Sequence, residues 1–333
     1  MRPFTYERVS DPATAAQAAG ARAEPASYLA GGTTLVDLMK LDVMQPQRLI
    51  DINALHDTDQ GRIALRPHGL RLGALVRMAE AADHADIQRE YPLIAQSLQL
   101  AASPQLRNMA SLGGNVLQRT RCTYFRDVSY AACNKRHPGS GCAALAGVNR
   151  MHAVLGTSEH CIATYPGDFA QALIALDAGV DLIGPDGPRT IAFAKLHRQP
   201  GDRPDQETTL RPGELIVSFA VPAGPWTRRS LYLKVRDRQS YEFALASAAV
   251  ALDFEANAVR EARIALGGVA TAPWRAREAE AALRGRIVDD QATIEAAEAA
   301  FAGAQGYGHN DFKIELGKRT LRRALRQAAA MEI

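Results

Sequence analysis

The sequence predicts an α+β protein of two or three domains, on three observations. Its 333 residues exceed a single typical core. Residues 26–53 read as strand, glycine turn, helix and strand, the alternation of a β-α-β unit. Residues 230–331 read instead as three strands followed by three helices, which is the pattern of an antiparallel sheet with helices gathered on it.

Taken in order, residues 26–30 form a short strand, Gly31-Gly-Thr-Thr a tight loop, 35–40 an amphipathic helix and 48–53 a second strand. A strand at 69–74 is followed by helical periodicity over 76–87. Another helix covers 92–102, with Leu93, Ile94, Leu98 and Leu100 among its apolar positions. Residues 119–164 are rich in Gly, Pro, Asn, Arg and Lys and show little periodicity, and a long irregular stretch inside a compact domain is commonly functional. Helix 168–178 follows, then a hairpin of 180–183 and 189–193 around Pro-Asp-Gly-Pro, then a strand over 214–222 that stops at Pro222. The main boundary falls at 222–226. Beyond it come strands 230–235, 246–254 and 259–267 and helices 274–283, 290–302 and 312–331.

Composition excludes several classes. Hydrophobic residues make up 47% and charged residues 23%, as in an ordinary globular protein. A net charge of +3, with no basic stripe interleaved with aromatics, argues against a nucleic-acid binder. No run approaches the ~18 apolar residues that a membrane span requires. The opening Met1-Arg-Pro-Phe-Thr-Tyr-Glu lacks the apolar core of a signal peptide, so no export signal of its own is expected.

Two glycine loops have the makings of a pyrophosphate grip. In Gly31-Gly-Thr-Thr, glycine lets backbone N–H groups approach an anion and the threonines add hydroxyl donors. Ser111-Leu-Gly-Gly-Asn repeats that chemistry. Taken alone, each loop reads more simply as a tight turn, the first with a threonine N-cap. Neither is a P-loop or a G-x-G-x-x-G fingerprint, which weakens an ATPase or a Rossmann dehydrogenase.

The four cysteines, Cys122, Cys133, Cys142 and Cys161, fall within 40 residues, spaced C-x10-C-x8-C-x18-C. Paired disulfides suit small secreted domains better than this chain. A zinc site usually shows close C-x2-4-C pairs, absent here, although His137, His152 or His160 could substitute. An iron–sulfur cluster accepts four thiolates from loops at wide spacing. Arg119, Arg121, Arg126, Lys135, Arg136 and Arg150 lie close in sequence to balance an anionic cluster, and Gly139, Gly141, Gly147 and Gly156 could bring N–H groups to sulfur. Scattered structural cysteines remain open as a fourth reading.

The motifs Ala30-Gly-Gly-Thr-Thr-Leu-Val-Asp-Leu-Met-Lys, Leu106-Arg-Asn-Met-Ala-Ser-Leu-Gly-Gly-Asn, Gly213-Glu-Leu-Ile-Val-Ser-Phe and Tyr232-Leu-Lys-Val-Arg-Asp-Arg-Gln-Ser-Tyr-Glu-Phe-Ala-Leu resemble the FAD-binding subunits of the xanthine dehydrogenase family, across essentially the whole chain. Most members lack the cysteines. With them, the chain is most similar to the [4Fe–4S]-containing FAD subunit of bacterial periplasmic aldehyde oxidoreductases. The resemblance implies a two-lobed FAD fold of the vanillyl-alcohol-oxidase type over 1–222, with lobes at about 1–56 and 57–222 and an insert at 119–164. A C-terminal domain over 227–331 follows. It implies that Leu29, Ala30, Gly31, Gly32, Thr33, Thr34, Leu35 and Val36 wrap the pyrophosphate of FAD, and that Ala110, Ser111, Gly114 and Asn115 close on it. Asp168 would hold ribityl or ribose hydroxyls, Ile216 would touch the adenine or flavin edge, and Lys234 would stand near the isoalloxazine. Gly167 occupies a position where many relatives have serine, so that hydroxyl is missing. Tyr241 and Phe243 would either shield the flavin or serve as apolar core. Cys122, Cys133, Cys142 and Cys161 would bind the [4Fe–4S] cluster.

The function implied is electron transfer. A large subunit with a molybdenum cofactor would oxidise an aldehyde, a small subunit with two [2Fe–2S] clusters would pass electrons to this chain, and FAD would release them to an external acceptor. Export to the periplasm as the passenger of a partner with a twin-arginine signal is implied by the same resemblance, with the cytoplasm as the alternative. The rival readings are the flavin subunit of a 4-hydroxybenzoyl-CoA reductase-like enzyme and a self-sufficient flavin oxidase.

Overall fold

Three parallel strands begin the chain: β1 (Thr5–Arg8), β2 (Ala26–Leu29) and β3 (Arg48–Asp51), in the order β1-β3-β2. Parallel neighbours require crossovers, supplied by the helices Pro12–Gly20 and Leu35–Lys40. All four residues of the central β3 are buried. The computed structural model describes residues 1–20 and 25–333. The strand β1 was not legible in the sequence because all four of its residues are exposed and carry no alternation.

The second lobe is a five-stranded antiparallel sheet of β4 (Ile63–Arg66), β5 (Gly69–Gly73), β6 (Gly179–Gly184), β7 (Gly187–Ala192) and β8 (Leu215–Pro222), ordered β4-β5-β8-β6-β7. Helices packed on it bury Leu93, Leu98, Phe169 and Leu173 against Leu72 and Phe219. The expected single helix over 76–87 is two short ones, Met78–Asp83 and Ala85–Glu90. His84 between them is extended, and the carbonyl of Ala82 freed by the break accepts from the Gln88 and Gln99 side chains at 3.0 and 3.1 Å.

The third sheet contains β9 (Ser230–Val235), β10 (Ala246–Glu255), β11 (Ala258–Gly267) and β12 (Trp274–Arg275), all antiparallel in the order β12-β11-β10-β9. Ala256 and Asn257, both at positive φ, make the two-residue turn that a right-twisted hairpin favours. Residues of β10 alternate between two cores. Ala246, Ala248, Val250 and Leu252 face the helices Arg277–Leu283, Asp290–Phe301 and Phe312–Ala329, while Ala249 and Ala251 join the core of the second lobe. A strand buried on both faces reads as an unbroken apolar run, which is why the sequence there shows no alternation. Trp274, expected to open a helix, pairs with Leu266 as the edge strand β12 instead.

The cysteine segment is fastened down along its length. Val154 and Leu155 pack into the C-terminal core. The Asn310 amide donates to Ala153 O at 2.9 Å, that of Asn149 to Tyr307 O at 2.8 Å, and Lys313 Nζ to His152 O at 3.1 Å. Among the described residues no helix is long and apolar enough to cross a membrane.

Candidate cofactor site

The two glycine loops touch. A β-carbon on Gly31 would fall inside the Met109 carbonyl, so only glycine allows the first loop to lie against the backbone that leads into the second. Gly32 sits at φ +71°, again a conformation that suits glycine. Among the described residues, the N–H groups of Gly31, Gly32, Thr33, Thr34 and Leu35 have no acceptor within the chain. Thr34 precedes the helix Leu35–Lys40 but makes no side-chain cap, so the plain N-cap reading of this loop does not hold. The second loop differs: Ser111 Oγ accepts from Gly114 N at 3.2 Å and caps Leu112–Val116. One loop therefore leaves its donors unspent, while the other commits its hydroxyl oxygen to the fold.

The loops open onto a cleft of two connected halves. One, of about 550 Å³, is lined by Ala30, Gly31, Gly32, Thr33, Thr34, Leu35, Ser111, Gly114 and Ile216, together with Tyr28, Gly113 and Leu215. The other, of about 240 Å³, is lined by Thr33, Thr34, Ala110, Asn115 and Asp168, together with Arg121, Arg238, Tyr241 and Phe243. Thr33 and Thr34 border both. The buried amide oxygen of Asn115 has no partner among the described residues, and an unsatisfied buried acceptor on a residue that lines a cavity is what a bound ligand would satisfy. Unspent N–H groups and a floor that excludes β-carbons suit a dinucleotide pyrophosphate, and the Asn115 oxygen suits a hydroxyl or N–H of the same ligand.

Leu29 and Val36 flank the first loop but line neither half. Lys234 departs furthest from expectation. Its side chain is 1% exposed, and its Nζ donates to Asp168 Oδ2 at 2.7 Å and to Leu100 O at 3.0 Å. It lines neither half of the cleft and serves Asp168 instead. Asp168 Oδ1 also accepts from Tyr232 Oη at 2.7 Å. Burial, followed by the Asp168 charge, pushes the Tyr232 hydroxyl well above its ordinary value, so it stays a neutral donor. Tyr28 and Arg121 were missed as lining residues because one lies on a strand and the other in the insert, far from Gly31 in sequence.

The four cysteines are free thiols, with Cys133 and Cys161 buried. Cys133 and Cys142 face each other across an antiparallel bridge. Burial pushes the Cys122 thiol up to about 12, with small additions from Cys161 and Cys133. Cys161 is likewise raised by burial, opposed by the Lys135 charge. Such thiols are protonated at neutral pH and ionise only when a metal takes the proton's place. His152 Nε2 lies 3.1 Å from Cys122 Sγ, and burial lowers this imidazole to about 4, keeping it neutral. His137 and His160 are exposed. Among the described residues, no three His, Cys, Asp or Glu groups converge as they would around a single ion.

The cations around the cysteines are engaged in the fold. Arg119 and Lys135 share Glu207, at 2.5 and 3.6 Å. Arg121 and Arg126 share Asp37, at 3.1 and 2.9 Å. Arg150 pairs with Asp237 at 2.7 Å, and Arg136 donates to the carbonyls of Tyr124 and Phe125.

Residues 2–224 match the family model described as the FAD binding domain in molybdopterin dehydrogenase, and 231–328 match the CO dehydrogenase flavoprotein C-terminal domain. The chain belongs to the FAD-binding medium subunits of the molybdenum hydroxylase family. It is 47% identical to the aldehyde oxidoreductase FAD-binding subunit PaoB of Escherichia coli, over 99% of each chain. It is 27% identical to the carbon monoxide dehydrogenase medium chain of Hydrogenophaga pseudoflava, over 98% of this chain and 97% of that one. A solved structure of carbon monoxide dehydrogenase from the same organism superposes with a TM-score of 0.77, covering 99% of this chain and 98% of its own. The family's members are subunits of oxidoreductases, and its fold is the two-lobed FAD-binding type followed by an α+β domain.

Proposed function

We propose that this chain is the FAD- and [4Fe–4S]-carrying electron-transfer subunit of a molybdenum-dependent aldehyde oxidoreductase. A large molybdenum-cofactor subunit would oxidise the aldehyde, and a small subunit with two [2Fe–2S] clusters would pass the electrons here for delivery to an external acceptor. The full-length identity of 47% to an aldehyde oxidoreductase subunit supports that class of enzyme. For the flavin, the reading rests on the meeting of the two glycine loops, with five N–H groups left unspent over a cleft.

FAD, when bound, supplies a ring that takes up an electron pair and can pass electrons on singly. The residues of this chain bind and orient it. The Gly31–Leu35 backbone would receive the pyrophosphate, Asn115 would turn its free amide oxygen to a hydroxyl or ring N–H, and Asp168, held by Lys234 and Tyr232, would fix a sugar or ribityl hydroxyl. For the cluster, the support is four free thiols within one segment, with Cys133 and Cys142 facing each other across a bridge. A cubane takes one thiolate at each of four irons, so its ligands need not converge on a point.

The test is the iron, zinc and flavin content of the anaerobically purified chain, with its visible spectrum before and after dithionite. The expected result is about four iron and one FAD per chain, with broad absorption that bleaches on reduction. Zinc in place of iron would overturn the cluster and leave the flavin reading standing. Absence of flavin after reconstitution would overturn the whole.

A further inference from the structure

We infer that Arg121 supplies the uncompensated positive charge that faces the flavin ring, the part expected of Lys234. The inference rests on the FAD and cluster readings above and assigns a residue role within that site.

The two halves of the cleft meet at Thr33 and Thr34. A pyrophosphate at that junction leaves one half for the adenosine and one for the ring. The smaller half adjoins the insert. Arg121, Pro166, Glu242 and Phe243 line it and also line a further cavity of about 290 Å³ that contains Cys122 and His152. A ring that exchanges electrons with a cysteine-bound cluster belongs on that side.

Two cations line this half and a third, Lys234, is bonded to its Asp168, and the charge balance separates the three. Lys234 is paired one-to-one with Asp168 at 2.7 Å, both side chains buried, so a ring would see a dipole and little net charge. Arg238 is paired one-to-one with Glu242 at 3.5 Å and is largely exposed, where solvent screens it. Arg121 shares the single carboxylate of Asp37 with Arg126, so among the side chains two guanidiniums and one carboxylate leave one positive charge over, placed between the ring and the cysteine site. Its guanidinium carbon lies 4.9 Å from the centre of the Phe243 ring, and its buried Nε has no acceptor among the described residues. Arginine keeps its charge under these conditions.

A flavin that gains two electrons and one proton gains one negative charge. A fixed net cation beside it favours the reduced form and raises the reduction potential, whereas a neutral ion pair does so weakly. Asp37 also sits in the helix that follows the Gly31–Thr34 loop, so the same ion-pair group ties the insert to the phosphate grip.

The experiment is a redox titration of the FAD visible spectrum in the full chain, for the wild type and four variants. Arg121→Gln is expected to lower the reduced-to-oxidised ratio at fixed potential at least ten-fold, a shift of about 30 mV for a two-electron couple. Arg121→Lys restores most of it. Asp37→Asn, which removes the counter-charge and keeps both guanidiniums, moves the potential upward. Lys234→Met, which leaves the Asp168 carboxylate without its partner, reduces FAD retention. A potential unmoved in Arg121→Gln, or moved downward in both Arg121→Gln and Asp37→Asn, overturns the inference, because a merely structural role would shift both in one direction. If Arg121→Gln does not retain FAD, Asp37→Asn and Arg121→Lys decide by the same signs. A wild-type chain that holds no FAD removes both readings, whereas flavin bound with an unmoved potential removes this one alone.

Discussion

The glycine cleft and the cysteine segment are built on opposite principles, though they lie side by side. In the cleft the binding groups are backbone N–H groups, held in place by a close approach that a single β-carbon would prevent. They carry no proton that must leave before a ligand binds. In the cysteine segment the candidate binding groups are side-chain thiols, of which burial raises Cys122 and Cys161, beside cations already committed to Glu207, Asp37 and Asp237. On the proposed reading the first site is ready in the fold, and the second would become one only when metal displaces protons.

The sharpest way to break that comparison is Gly31→Ala. Overpacking against the Met109 carbonyl should cost about 1–3 kcal/mol and separate the two loops, so flavin content should fall more than ten-fold while iron content holds. Retention of stoichiometric FAD in this variant would show that the close approach is not required. Next comes Cys161→Ser, which should remove most of the iron and leave FAD near one per chain. Loss of both cofactors together would show that the two regions are a single unit.

A pH experiment sharpens the contrast further. Burial lowers Lys313, which pins the insert, to about 7 from an ordinary 10.5. Between those values the unfolded chain binds the proton and the folded one does not, so this group makes stability rise with pH from about 7 to about 10.5, and its full penalty applies below 7. The slope should approach 1.4 kcal/mol per pH unit for one proton. Chemical denaturation at pH 7 and pH 9 should show a smaller rise in Lys313→Met than in the wild type, with flavin retention alike at both values. The smallest effect expected is that of Ser111→Ala. Loss of this cap should cost about 1 kcal/mol in thermal unfolding, with modest loss of FAD, since the Ser111 oxygen is spent on Gly114 N.

The legibility of these regions in the sequence differed for physical reasons. Gly31-Gly-Thr-Thr was readable because a conformational requirement of the backbone leaves a short, local signature. The hairpin of β6 and β7 and the helices Asp290–Phe301 and Phe312–Ala329 were readable because each buries one face at a regular period. The helix break at His84 was not, because the side chains that satisfy the freed carbonyl include Gln99, from a different helix. The pairing of Lys234 was not legible because its partner, Asp168, lies 66 residues away.

By itself the sequence determined the α+β class, the two glycine loops and the clustering of four cysteines, since each depends on residue type at short range. The tertiary structure decided which donors stay free, which cations are neutralised and which half of the cleft adjoins the cysteines. Those properties depend on charges and carbonyls brought together from distant parts of the chain. Arg121 and Lys234 show the difference: as residues both are single positive charges, and only the count of carboxylates around each in the fold separates a net charge from a buried pair.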